Sequence, residues 1–322
     1  MYRRFMLMLS VLGIFLLMTG CEEQKEEENV YIEQEAVYEK NTYDTLNVAT
    51  YLTKIGDSYF LNDCYHDQII FHDNLDDPLT EWDVLTKEVH YAHTVAGDGT
   101  VLLTDDTENN RVLVFTKAKN GYIQTQTIEG IGLKPHYVQY DKKRDAFYVW
   151  SSITGELYEL KREEGTNTVY QSDIKKIDEL YGVYVRSYTI IEDDIYFVSG
   201  HNNRKIIQAN LDTMEILAEY EVPGEIAGMV QLTKIQDYFY LTVSTDDKEN
   251  QDYATIVRTK NLAGLKNGDY EDIYDTFGLE KGTPYYITEI DGTYYMTHHR
   301  TSENVIAFQV TDNEITDVKI IY

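Results

Sequence analysis

The sequence predicts an all-β protein: a single six-bladed β-propeller made of four-stranded antiparallel blades. Three observations support this prediction. Tyrosine is abundant, with 29 among 322 residues, apolar segments follow polar turns at regular intervals, and no linker rich in Pro, Gly or Ser divides the chain. Tyrosine suits half-buried strands, and a repeat of this length made of strand patterns is typical of propeller blades.

Six units share an apolar pair that follows a polar turn. The pairs are Tyr59-Phe60, Leu102-Leu103, Tyr148-Val149, Tyr196-Phe197, Tyr240-Leu241 and Tyr294-Tyr295. Consecutive pairs are separated by 43, 46, 48, 44 and 54 residues. Each interval has room for about four short strands and their turns.

The fourth unit displays its strands most clearly. They are predicted at Tyr184–Ile191, Asp194–Ser199, Lys205–Asn210 and Glu215–Val222. The second unit has the same order, at His93–Ala96, Thr100–Thr104, Arg111–Phe115 and Tyr122–Ile128. The alternative is a β-sandwich or two stacked all-β domains, but the even spacing without a linker disfavours two domains.

A polar loop follows the second strand of each unit, and one of these loops carries a motif. The stretch DDTENNRVLVF, from Asp105 to Phe115, resembles the D-x-x-N-x-R-V-x-x-F pattern of NHL-type and related six-bladed propellers. The resemblance implies the architecture of residues 46–322 and says little about activity. The last unit is complete through Glu314–Ile321, so the ring either closes by itself or takes a strand from near Val37.

Residues 1–20 are predicted to be a signal peptide. Arg3 and Arg4 precede an apolar run, Phe5–Met18, which is too short to cross a bilayer comfortably. The letters MTGC ending at Cys21 resemble the lipobox of bacterial lipoproteins, although Met18 stands where that family usually has Leu. The resemblance implies cleavage before Cys21 and a lipid on its thiol. A plain transmembrane anchor and an ordinary signal with an incidental cysteine are the alternatives.

Residues 21–45 are predicted to be the lipidated cysteine and an acidic tether, which would hold the protein at the extracytoplasmic face of the cell membrane through Cys21. The net charge of -28 argues against nucleic acid and against anionic headgroups as partners, because both need clustered Lys and Arg. Cys64 then has no disulfide partner, so a large core must stabilise the fold. We expect a monomer.

Candidate site residues come from aligning the units. The first strand and the end of the second strand meet at one edge of a blade, so equivalent residues converge around one mouth of the channel. The first strands contribute Thr50, His93, His136, Arg186, Met229 and Tyr285, and the second-strand ends contribute Asp63, Asp105, Asp106, Ser151, Ser152, His201, Asp246, His298 and His299. We predict ligand binding by His93, His136, Arg186 and Tyr285.

Histidines at such a mouth are candidates for binding a metal ion. His93 and His136, with one of His201, His298 or His299, would supply three ligands for Zn and leave one position open. Arg186 could hold a carboxylate and Tyr285 could move a proton, which makes both candidate catalytic residues. These residue types are similar to those of six-bladed amidating lyases of the NHL class. Ca is a further candidate, at the acidic loop 246–252, although the loop lacks the order of an EF-hand.

The sequence therefore predicts function only in outline. The leading interpretation is a ligand-binding or interaction module, with carbohydrate or another envelope component as ligand, because the fold offers a concave face and no catalytic motif is present. The second is a metal-dependent lyase or hydrolase with its site at the channel mouth. The third is an assembly partner whose rim contacts another protein.

Overall fold

The computed structural model describes residues 31–200, 202–280, 282–299 and 302–322. It confirms a six-bladed β-propeller of four-stranded antiparallel blades, each formed by consecutive strands in the order of the chain. The predicted signal peptide, Cys21 and the first part of the tether lie outside these residues.

The strands are numbered β1 to β24, four to a blade, from the innermost to the outermost. Blades 1 to 3 contain β1 Ala49–Ile55, β2 Ser58–Asp63, β3 Gln68–His72, β4 Asp83–Thr86, β5 Val95–Gly97, β6 Val101–Asp106, β7 Arg111–Ala118, β8 Gly121–Glu129, β9 Pro135–Asp141, β10 Ala146–Ser151, β11 Glu156–Arg162 and β12 Val169–Lys176. Blades 4 to 6 contain β13 Val185–Ile191, β14 Asp194–Ser199, β15 Lys205–Asn210, β16 Ile216–Glu221, β17 Gly228–Ile235, β18 Tyr238–Thr245, β19 Thr255–Thr259, β20 Glu271–Asp272, β21 Thr283–Ile290, β22 Thr293–His299, β23 Val305–Thr311 and β24 Glu314–Ile320.

Short 3₁₀ segments connect the strands. They are Cys64–His66, Leu79–Glu81, Thr107–Asn109, Asp178–Leu180, Gly224–Ile226, Gln251–Tyr253, Leu262–Asn267 and Tyr274–Phe277. The last two flank the two-residue strand β20, which explains why the interval between the fifth and sixth units is the longest.

The predicted strands of the fourth unit agree with β13–β16 to within one residue at each end. The second unit differs more, because its innermost strand begins at Val95, two residues after the predicted start at His93. The stretch DDTENNRVLVF forms a local hydrogen-bonded unit, in which Asp106 accepts from Asn109 Nδ2 at 2.9 Å and from Arg111 Nε at 2.6 Å. The motif therefore stabilises the loop between β6 and β7.

Tyrosine rings fill the channel below the mouth. Tyr51, Tyr137 and Tyr286 come from three innermost strands, and their ring centres lie 5.2–6.3 Å apart in edge-to-face contacts. Tyr188 packs against Tyr137 at 5.1 Å and donates its hydroxyl to Tyr148 O at 2.7 Å. The channel is thus a packed core, and it accounts for part of the tyrosine content.

The innermost strands of neighbouring blades are joined by side chains. Hydroxyl groups on these strands, or beside them, bond backbone groups of the next blade, because no strand pairs with the channel-facing edge. The bonds join Thr50 Oγ1 to His93 O, Thr94 Oγ1 to Val138 N, Ser187 Oγ to Val230 O, Thr242 Oγ1 to Tyr285 O and Thr288 Oγ1 to Leu52 O.

All four strands of blade 6, β21 to β24, come from the C-terminal part of the chain. The ring therefore closes without an N-terminal strand. The C-terminal Tyr322 reaches into blade 1, where its hydroxyl donates to Asp77 O at 2.7 Å and accepts from Trp82 Nε1 at 3.1 Å. Val37, where the sequence allows an extra strand, is 94% exposed and belongs to no strand.

Residues 31–41, here called the strap, lie across blades 1 and 2. Ile32 N donates to Lys117 O at 2.9 Å, at the end of β7, and Ala36 bonds the side chain of Asn120 through both its N–H and its C=O. Further along, Glu39 O accepts from Val84 N at 2.9 Å. The described part of the predicted tether is therefore attached to the propeller.

The strap inserts one aromatic ring between the two blades. Tyr38 packs on Phe71 with ring centres 4.8 Å apart, and its hydroxyl bonds both the N–H and the C=O of Tyr122. Gly121 permits this approach, because a Cβ atom there would overlap the Tyr38 ring.

The part of the chain that the structure describes contains no helix long and apolar enough to cross a membrane.

Replacing Tyr38 with Phe should destabilise the protein by about 1–2 kcal/mol, because a half-buried N–H of Tyr122 loses its acceptor. Urea denaturation followed by tryptophan fluorescence measures the difference. Tyr170→Phe, on the outermost strand of blade 3, is the matched control and should unfold with the wild-type midpoint. Equal midpoints for both variants would contradict the structural role of the strap.

Candidate functional site

The innermost strands begin with a β-bulge in several blades. In β1, β9 and β13 the pairing skips one residue, which is Thr50, His136 or Arg186 respectively. A bulge redirects the side chain of its extra residue. Two of these three residues, His136 and Arg186, line the mouth of the channel.

A cavity of about 200 Å³ lies at this mouth. It is lined by Tyr65, Tyr91, His93, Thr107, Glu108, Lys134, His136, Tyr184, Arg186 and Tyr285. The structure thus brings together the four side chains that were predicted to bind a ligand, each from a different blade. Thr50 is buried beside them and does not line the cavity.

Met229, like Thr50, belongs to the predicted ring but does not line the cavity. In blade 5 the pairing skips Val230, one position after Met229, whereas in blades 1, 3 and 4 it skips the residue equivalent to Met229. Met229 is consequently fully buried and packs in the hydrophobic cluster between blades 4 and 5. The alignment of units could not anticipate this change of register.

The two cavity histidines are stacked. The ring centres of His93 and His136 lie 3.5 Å apart, with an angle of 33° between the planes. His93 Nδ1 lies 3.1 Å from Thr107 Oγ1, whose single hydroxyl proton has two acceptors within reach, Pro135 O at 2.7 Å and Asp105 Oδ2 at 3.0 Å. Asp105 also accepts from the backbone N–H of His93, so one buried carboxylate fixes both the backbone and the ring position.

His136 is only 2% exposed, and its Nδ1 has no hydrogen-bond partner among the residues that the structure describes. Burial lowers the pKa of His136 well below 6.5, and the nearby His93, Arg186 and Lys134 lower it further. The imidazole is therefore neutral at physiological pH. A neutral ring can accept a hydrogen bond from a ligand or from a proton donor.

Arg186 lies between a hydroxyl and an aromatic ring. Its Nη1 donates to Ser244 Oγ at 2.6 Å, and its guanidinium carbon lies 5.8 Å from the centre of the Tyr184 ring. Burial raises the pKa of both Tyr184 and Tyr285, although Arg186 opposes the effect, so both phenols keep their protons. The mouth therefore places the Arg186 guanidinium beside two neutral phenols.

Cys64 lies behind His93. Its Sγ is 3.9 Å from His93 Nε2, and the thiol is buried. Burial raises the pKa of this thiol well above 9, and nearby aspartates, Asp105 first among them, raise it further. The thiol is protonated in this environment and is a poor nucleophile.

The acidic residues at the second-strand ends form hydrogen bonds with nearby groups of the propeller. Asp63 accepts from Asn47 N at 2.7 Å and contacts His66 Nδ1 at 2.6 Å. Asp246 accepts from the backbone N–H groups of Lys248 and Asn250, which makes the predicted Ca loop a turn closed by its own carboxylate. Ser151 and Ser152 are buried and do not line the cavity.

Of the predicted metal ligands that the structure describes, His93 and His136 line the cavity and His298 and His299 do not. His298 bonds Tyr274 through Nε2 at 2.9 Å and Glu303 O through Nδ1 at 3.2 Å, in blade 6. His299 lies near the rim, with its ring centre 6.1 Å from that of Tyr65. Stacked rings such as His93 and His136 cannot both direct an in-plane lone pair at one ion about 2 Å away. His201 lies outside the described residues, and no metal-binding group of three His, Cys, Asp or Glu occurs within them.

Several cavity residues were missed by the alignment of strands. Tyr65, Thr107 and Glu108 belong to the polar loops that follow the second strands, and Lys134 and Tyr184 precede the bulged residues by two positions. The sequence does indicate that these loops lie at the mouth, because they directly follow the second-strand ends at that edge of the blades. Their orientation toward the cavity could not be inferred from spacing alone.

The sequence matches no protein-family model and no curated protein. Solved structures match the fold. A 6-phosphogluconolactonase-like protein from Bacteroides uniformis has a TM-score of 0.58 at 13% identity, covering 82% of each chain. A catalytically inactive virginiamycin B lyase from Staphylococcus aureus with quinupristin has a TM-score of 0.56 at 16% identity, covering 88% of each chain. A streptogramin B lyase reaches 0.56 at 13% identity, covering 86% of this chain and 84% of its own. At these identities the likeness concerns the fold alone.

Replacing His136 with Gln should reduce the acid sensitivity of the fold. The unfolded chain takes up a proton on this histidine below about pH 6.5, whereas the folded protein does not, so the free energy of unfolding falls with decreasing pH by up to ~1.4 kcal/mol per pH unit. The variant lacks this contribution. Denaturant unfolding at pH 7.5, 6.0 and 5.0 measures the slopes.

His90→Gln is the matched control, because the His90 side chain is 47% exposed. It shows how much of any change in slope comes from removing a histidine at the surface. Parallel curves for wild type and His136→Gln would show that His136 is not held neutral in the folded protein.

Proposed function

We propose that this protein is a recognition module whose cavity at the channel mouth binds a small ring-bearing ligand, such as a carbohydrate or another envelope component. The observation that supports this proposal is the convergence of His93, His136, Arg186 and Tyr285 from four blades on one cavity. A concave site with a few convergent polar groups is the usual form of a small-molecule site.

The walls of the cavity suit a flat ring. Tyr65 and Tyr91 have ring centres 5.2 Å apart at its rim, and Tyr184 and Tyr285 lie further in. Tyrosine combines an apolar face for stacking with a hydroxyl for hydrogen bonding. The cavity volume of about 200 Å³ lies below the range of ~300–1,000 Å³ that is common for sites of larger ligands. The part of the ligand that enters the cavity should therefore be about the size of one ring.

The cavity is also closed at its base. The packed rings of Tyr51, Tyr137 and Tyr286 occupy the channel, so a ligand would enter and leave through the same mouth. This arrangement favours binding over passage through the channel.

A metal-assisted lyase or hydrolase is the second proposal for the same cavity. The observation in its favour is the orientation of His93 by Thr107 and Asp105, since catalytic imidazoles are commonly held by such a partner. The stacking of His93 on His136 disfavours a shared metal ion, as described above. Recognition without chemistry is therefore the better supported function.

The membrane attachment also belongs to the proposal. We propose that a lipid on Cys21 anchors the chain at the extracytoplasmic face of the cell membrane. The support is the order of a basic start, a short apolar run and the letters MTGC in the sequence.

Tyr65→Ala should weaken the binding of ring-bearing ligands by about tenfold, because stacking on one aromatic ring contributes roughly 1 kcal/mol or more. A panel of neutral sugars, aromatic compounds and acids, measured by thermal shift and calorimetry, provides the ligands. Tyr170→Ala is the matched control: Tyr170 is 48% exposed against 50% for Tyr65, but lies outside the cavity. Binders unaffected by Tyr65→Ala, or an empty panel, would remove the proposal.

Cys21→Ser should release the protein from the membrane fraction, because the hydroxyl cannot receive the thioether-linked lipid. Fractionation and a mobility or mass shift measure the change. Cys64→Ser is the control and should leave the fractionation unchanged, since this thiol is buried in blade 1. A Cys21→Ser protein that stays fully membrane-bound would contradict lipid anchoring.

A further inference from the structure

Arg186 differs from the other arginines that the structure describes. Each of the other five pairs with a carboxylate within 4 Å: Arg111 with Asp106, Arg144 with Asp141, Arg162 with Asp98, Arg204 with Asp247 and Arg258 with Glu271. Arg186 has no ion pair among the described residues, in a chain where 56 acidic residues outnumber 28 basic ones.

Neutral groups hold this guanidinium in place. Ser244 accepts from Arg186 Nη1 at 2.6 Å and itself donates to Gly228 O at 2.9 Å, so the hydroxyl is oriented by the backbone of blade 5. The Tyr184 ring lies on another side. A guanidinium carries five N–H donors, and these contacts leave donors that can face the cavity.

The one carboxylate among the described residues that line the cavity does not pair with Arg186. Lys134 and Glu108 form a pair with Nζ and Oε1 2.8 Å apart, and their charges cancel. His136 is neutral because burial lowers its pKa. Tyr184 and Tyr285 remain protonated, since burial raises the pKa of each phenol. Arg186 is thus a cavity cation without an ion pair among the described residues, within a strongly acidic protein.

We propose that the ligand of this cavity carries an oxyanion, a carboxylate or a phosphate, which pairs with Arg186. The planar guanidinium matches both groups through two parallel hydrogen bonds. The neighbouring tyrosines would contact the ring that bears the anion. This inference rests on the proposed recognition function and narrows it to acidic ligands such as sugar acids and aromatic acids.

Matched ligand pairs test the charge separately from the ring. Glucuronate is compared with glucose, benzoate with benzyl alcohol, and inorganic phosphate is titrated alone, all by calorimetry on the wild-type chain. In at least one pair, the acid should bind at least tenfold more tightly than its neutral partner. Arg186→Gln should weaken binding of that acid by about 10- to 100-fold, and should weaken binding of its neutral partner by a smaller factor, because only the acid loses an ion pair. Arg186→Lys should retain part of the affinity, because it keeps the charge without the planar fork.

Arg204→Gln is the matched control, since Arg204 lies on an exposed loop and is paired with Asp247. It should bind like wild type. Circular dichroism and the melting temperature show whether each variant is folded, and Arg186→Lys serves if Arg186→Gln is not.

The outcomes separate this inference from the proposed function. Equal binding of acid and neutral partner, with dependence on Tyr65, would overturn the oxyanion and leave ring recognition standing. Binding of phosphate alone, lost in Arg186→Gln, would support the oxyanion with a free phosphate as its source. Failure of all anions to bind would overturn the inference, and the ring proposal would then be judged by its own panel.

Discussion

The unpaired edge of each innermost strand is the constraint on which the rest of this structure depends. Its channel-facing N–H and C=O groups have no strand to bond, and burying them without partners would be costly. Hydroxyl side chains from neighbouring blades supply the partners, as Thr50 does for His93 and Ser187 does for Val230. The ring of blades is therefore held by hydrogen bonds as well as by apolar packing.

The same edge explains the cavity at the mouth. At the bulges of β9 and β13, one residue leaves the ladder and its side chain lines the opening instead of the packed channel. His136 in β9 and Arg186 in β13 occupy such positions. The residue that follows His136 in β9, Tyr137, packs into the channel instead. A shift of one residue along the strand therefore decides whether a side chain packs in the core or lines the cavity. Met229 lies one position before the residue that the pairing skips, and it packs in the core.

The sequence predicts the repeated parts of this protein well. Strand patterns are local, so the number of blades, their strand order and the bounds of β13–β16 follow from alternation and turn residues. The convergence of four site residues follows from the symmetry of the repeat. Contacts across long intervals escape such reasoning: the pairing of His298 with Tyr274, and the insertion of Tyr38 beside Tyr122, depend on side-chain directions that no spacing records.

The strap has a geometric consequence for a chain held by its N-terminus. Ile32 bonds the end of β7, whereas Thr107 and Glu108, just ahead of β7, line the cavity. The eight residues of β7 separate these two rims by roughly 20–25 Å. The first described residues of the strap therefore meet the propeller at the rim opposite the cavity. Under the lipid anchoring proposed above, a ligand could reach the mouth without passing the strap.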